Sequence, residues 1–94
     1  MQESVREKLH KILDLVLDIN ESGKATTFFR FSWHVNDIDI QAYLPKWKPD
    51  AYPDLWESVY IDRPNSPGCY ATTIDRAIEQ FEKVKKGEYK NETV

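Results

Sequence analysis

The sequence predicts an α+β fold in the order α-β-β-β-α, a three-stranded antiparallel sheet with two helices packed on one face. Three observations predict it. Apolar residues recur at helical intervals near the two ends of the chain, at 4–22 and 72–86. Three stretches between them alternate with period two, and both helical patterns leave a polar side, as helices lying on a sheet do. The 94 residues suffice for one modest core, since a chain this short buries about two thirds of the surface its unfolded form exposes. One domain, 1–94, is expected, with 86–94 as a frayed tail.

The first helix opens at Ser4 and Glu7, which have capping-box spacing, and Val5, Leu9, Ile12, Leu13, Val16 and Ile19 carry it to a stop at 21–23. Leu15 and Leu17 widen its apolar arc, leaving Glu7, Lys11, Asp14 and Asp18 on the wet side. A helix this apolar either lies deep or meets a second partner. The first strand, 25–33, is β-branched and aromatic, with Phe29, Phe31 and Trp33 on one face and Phe28, Arg30 and Ser32 on the other. Asn/Asp chemistry at 34–37 makes a hairpin loop, and the second strand, 38–44, turns Ile38, Ile40, Ala42 and Leu44 toward the core. Pro45, Pro49 and Pro53 punctuate a long connection to about residue 55, whose Trp47, Tyr52 and Trp56 are too apolar for a solvated linker. The third strand, 57–62, points Val59 and Ile61 inward and Ser58, Tyr60 and Asp62 outward. Thr72 with Asp75 caps a second helix bearing Ile74, Ala77, Ile78, Phe81 and Val84 as a narrow stripe, with Lys83, Lys85 and Lys86 complementing its dipole and Gly87 stopping it.

Composition narrows the function. Hydrophobic residues make up 40%, aromatic residues 13% and charged residues 31%, which belongs to a folded domain. A formal net charge of −3 lacks the clustered Lys and Arg that release counterions from a phosphate backbone, so duplex DNA is not an expected partner. A lone cysteine, Cys69, excludes an internal disulfide, and neither a secretion signal nor a membrane span is read, so a cytoplasmic protein without a membrane partner is expected.

No catalytic residue, metal site or cofactor is assigned. His34, Asp37 and Asp39 lie close enough in sequence to gather around a divalent ion, but no second histidine or cysteine has ligand spacing, and Asn/Asp in a tight turn serve the backbone. Cys69 lies shortly before the second helix, and nothing in the sequence brings His10 or His34 to it. The three glycines, Gly23, Gly68 and Gly87, stand apart from one another and build no phosphate cradle.

Two helices cover one side of the sheet. The other side then carries Phe28, Arg30, Tyr43, Trp56 and Tyr60, joined by Trp47 and Tyr52 of the long loop, as a mixed aromatic and polar interaction surface. The competing reading is that the loop covers Phe28 and Trp56. Protein contact is favoured over base stacking because the basic surround of a single-strand binder is missing. The expected function is a non-catalytic protein-interaction module whose partner is another protein or a second copy in a homodimer. The alternative is a small-ligand or single-stranded nucleic-acid binder using the sheet face and the 45–56 loop, flanked by Arg30, Lys46 or Lys48. An enzyme would require His34, Asp37, Asp39 or Cys69 to converge.

At Phe31-Ser32-Trp33-His34-Val35-Asn36, followed by the alternating stretch to Leu44 and a Trp/Pro-rich loop, the chain resembles small phage and prophage proteins of Gram-positive bacteria. It departs from them at Trp33, where their pattern has a small residue. The resemblance covers about the first two thirds of the chain and brings no catalytic or binding residues with it. It implies a bacterial cytoplasm and a role in binding and redirecting a host or phage protein.

Overall fold

In the computed structural model, residues 3–66 and 71–89 are described. The element order is α1 (Glu3–Ser22), β1 (Thr26–Ser32), a 3-10 turn at Trp33–Val35, β2 (Asp37–Tyr43), β3 (Leu55–Tyr60) and α2 (Ile74–Lys86). The three strands form an antiparallel sheet, as the sequence predicts, and they lie in the order β1-β2-β3, which the sequence leaves open.

Register explains the core. Phe29 pairs with Ile40, and Ile38 lies between Phe31 and Val59, so one face collects Thr27, Phe29, Phe31, Ile38, Ile40, Ala42, Leu55 and Val59. Against it α1 buries Val5, Leu9, Ile12, Leu15, Val16 and Ile19, and α2 buries Ile74, Ala77, Ile78, Phe81 and Val84. The two helices also meet each other along their polar margins, through Lys8 and Asp75 at 2.8 Å, Lys11 and Glu82 at 3.1 Å, and Asp18 and Lys85 at 3.0 Å. These pairs are solvent-exposed and add little stability, yet they show that one flank of α1 is taken by α2.

Each edge of the sheet is met at one residue by another part of the chain. Along β3 the outward carbonyl of Ser58 accepts the Thr72 N–H at 2.7 Å. Along β1 the Asn20 carboxamide stands in for a neighbouring strand at one residue: its Oδ1 accepts the Thr27 N–H at 2.7 Å and its Nδ2 donates to the Thr27 carbonyl at 3.2 Å. Alternation along an antiparallel strand then turns the N–H and C=O of Phe29 and Phe31 the same way, outward.

Several boundaries differ from the sequence reading. Trp33 leaves β1 and begins the 3-10 turn, because the hairpin closes on Ser32 and Asp37 and Asn36 takes the left-handed conformation, φ 53°, that ends the turn. β3 starts at Leu55, which pairs with Ala42, so Trp56 belongs to the strand and not to the loop. Thr73, not Thr72, caps α2, accepting the Arg76 N–H on its hydroxyl at 3.2 Å. Of the 86–94 tail, residues 86–89 are described. Lys86 closes α2, Gly87 caps it at φ 75°, and the Tyr89 ring packs on the core with its hydroxyl donating to the Asp54 carbonyl at 3.0 Å. The remainder of the tail lies outside the described residues.

Candidate functional site: the open sheet face

The face away from the helices is built by period two: Phe28, Arg30 and Ser32 from β1, Asp37, Asp39, Gln41 and Tyr43 from β2, and Trp56, Ser58 and Tyr60 from β3. Neither helix reaches it, and the long loop does not cover it. Phe28 remains exposed and Trp56 is 61% exposed, which sets aside the reading that the loop buries them.

The loop is nonetheless fixed. The Leu44 N–H donates to Asp54 Oδ2 at 2.7 Å, and the Asp54 N–H donates to the Ala42 carbonyl at 2.9 Å. The Leu44-Pro45 peptide is cis, and Asp50 at φ 62° with the Ala51 N–H on the Lys48 carbonyl at 3.2 Å makes a tight turn farther on. The Trp47 N–H donates to Thr26 Oγ1 at 3.0 Å, bringing its half-exposed indole to the β1 side of the open face. Tyr52 points into solvent, 92% exposed, away from the other aromatics.

Two hollows share Asp39. One, of 270 Å³, is lined by Phe28, Arg30, Asp39, Gln41, Tyr43 and Trp47; the other, of 420 Å³, by Asp37, Asp39, Trp56 and Ser58. Tyr43 forms the floor of the first rather than part of its surface. It is only 9% exposed, Phe28 meets it edge-on at 5.7 Å between centroids, and its hydroxyl bonds Gln41 Oε1 at 3.1 Å. The carboxylates are engaged: Asp39 Oδ1 accepts the Trp56 indole N–H, and Asp37 Oδ1 accepts the Ser58 hydroxyl at 2.9 Å. Tyr60 is half-buried at the far end, with the Arg63 guanidinium stacked 4.5 Å from its ring centroid. Arg30 is different. It is exposed, lies opposite Asp39 in register, and takes part in none of the ion pairs among the described residues.

The chemistry-bearing residues fall apart along the chain. His34 is exposed on the 3-10 turn, while Asp37 and Asp39 face the open side; among the described residues no group of three His, Cys, Asp or Glu gathers. Asn36 serves the turn as the sequence suggests, donating to the Trp33 carbonyl at 3.2 Å and accepting the Ile61 N–H at 2.8 Å. Cys69 lies outside the described residues. Among those residues no helix is long and apolar enough to cross a membrane.

Sequence reasoning missed one cleft. On the helix side, Leu9, Leu13, Phe29, Phe31 and Trp33 line a 520 Å³ groove whose polar rim is Glu3, Arg6 and His10. Its signal was the wide apolar arc of α1. Comparison with protein-family models, curated proteins and solved structures returned no match.

Proposed function

We propose that this protein is a non-catalytic protein-interaction module that receives another protein on the open sheet face. The observation carrying the reading is Arg30: an exposed guanidinium without an ion pair among the described residues, set in a hollow walled by Phe28 and Trp47. Aromatic rings and Arg are the usual energetic anchors of protein interfaces, because they bury large areas at low entropic cost and Arg binds carboxylates through two parallel hydrogen bonds. The partner therefore presents a carboxylate to Arg30 and an apolar group to Phe28 and Trp56. The resemblance to phage and prophage proteins supports a host or phage protein in that role.

The hollow beside Trp47 also supports stacking of a small planar ligand or a single-stranded base. A phosphate backbone carries a row of anions past Asp37 and Asp39, where a protein partner brings a single carboxylate to Arg30, and this makes stacking the second reading.

Capture from a bacterial lysate by the tagged protein tests both. Phe28→Ser, Arg30→Gln and Trp56→Ser change exposed side chains and are expected to leave the fold intact. Each is expected to weaken retention of one and the same captured protein at least tenfold. Undiminished capture by all three folded variants, or saturable binding of a single-stranded oligonucleotide that the same substitutions abolish, would remove the protein-binding reading.

A further inference from the structure

The open face is not the only surface without a partner inside the chain. α1 has two flanks. Lys8, Lys11 and Asp18 tie one to α2, while the other, carrying Leu13 and Leu17, is exposed beside the free edge of β1. There the groove lined by Leu9, Leu13, Phe29, Phe31 and Trp33 adjoins the outward N–H and C=O groups of Phe29 and Phe31. An apolar groove alongside an unpaired strand edge is a template for strand addition.

We infer that a second copy of this chain occupies that edge, β1 against β1 antiparallel about a two-fold axis at Phe31. Only residues whose backbone groups point outward can form hydrogen-bonded pairs, which leaves three central registers. With the axis at Phe29, Thr27 would have to pair, and Asn20 already holds both of its backbone groups. With Phe29 opposite Phe31, Arg30 would face Arg30 of the other copy directly, a like-charge pair on a strand. With the axis at Phe31 both conflicts vanish. Arg30 then lies opposite Ser32, and the next residue in that row is Asp37, so the cation points toward one carboxylate of the other copy instead of a like charge.

The same register explains Trp33. It is 68% exposed, its ring lies 4.8 Å from that of Phe31, and its carbonyl is already taken by the Asn36 N–H. Across the axis it falls opposite Phe29, over the partner's groove, with its N–H free for the Phe29 carbonyl. Each copy thus adds its indole to the other copy's groove, beside the Trp33 already lining it. Isologous pairing of this kind closes after two chains and uses one patch twice. It also joins two open faces into one continuous sheet surface, and it is independent of what binds that surface.

The mass in solution across a concentration series tests the pairing. The expected mass is twice that of the 11.1 kDa chain. Trp33→Ser and Leu13→Gln, both at exposed positions, are expected to raise the dimer dissociation constant at least tenfold, and Trp56→Ser on the open face to leave it unchanged. A monomer at every concentration, or a dimer that Trp56→Ser dissociates and Trp33→Ser does not, overturns the inference. Oxidative cross-linking in a Cys69→Ser background fixes the register. A mixture of Arg30→Cys and Ser32→Cys chains is expected to link, and efficient linking of Arg30→Cys chains to one another would place the axis elsewhere.

Discussion

Glu57 is the residue at which local chemistry and position disagree most. It sits on the core face of β3, opposite Ile40 and only 8% exposed, and burial pushes its carboxyl above the ordinary value while Arg76, with Nε 3.8 Å from Oε1, pulls it back. A carboxyl whose folded pKa is raised binds its proton more tightly folded than unfolded. Stability therefore falls as pH rises from the ordinary carboxylate value through the raised one, and the penalty is fully present above it. Glu57→Gln should raise the thermal midpoint at neutral pH and lose that advantage on acidification; a lower midpoint at neutral pH would mean that the Arg76 contact outweighs burial. The parity of Glu57 with Val59 and Ile61 was readable in the sequence. Its burial was not, because a glutamate opening a strand looks like a polar flank until the helix above it is in place.

Among the elements, α2 follows its sequence most closely. A narrow apolar stripe, an N-cap threonine and Gly87 at its end are local features, and only the choice between Thr72 and Thr73 needed the structure, since both can accept a hydrogen bond. Thr73→Ala should destabilise the domain by about 1 kcal/mol, read from the denaturant midpoint, whereas Thr72→Ala keeps the cap intact. α1 was readable as a helix but not in its allegiances. Leu13, Leu15 and Leu17 look alike in a periodicity, yet Leu15 turns toward the buried side and Leu13 and Leu17 toward the β1 edge. β3 was placed two residues late because Leu55 and Trp56 follow Pro53 without alternation of their own; their strand character comes from pairing with Ala42 and Gln41.

For the whole molecule, one cluster joins both helices to all three strands, with Phe81 fully buried and the largest side chain within it. Phe81→Ala is expected to cost about 3–5 kcal/mol, a large share of the roughly 5–15 kcal/mol that stabilises a small domain, and should lower the thermal midpoint by more than about 10 °C. A loss below 1 kcal/mol in a denaturant titration would show that α2 is peripheral to the fold.

By itself the sequence determined the order of elements, the antiparallel hairpin and the identity of the open face, because period two and period 3.6 are local properties and a strand's parity assigns its faces. It also placed Phe28, Arg30, Tyr43, Trp56 and Tyr60 on one surface with Trp47 near them. Tertiary structure alone decided that Tyr43 is the floor of the hollow and Tyr52 stands clear of it, because the loop's course follows from its anchors on Thr26, Ala42 and Asp54. It alone decided that Thr72 meets the β3 edge at Ser58 and that Asn20 meets the β1 edge at Thr27. Those contacts join residues distant in sequence, and hydrogen bonds of that range leave no periodic trace in the chain.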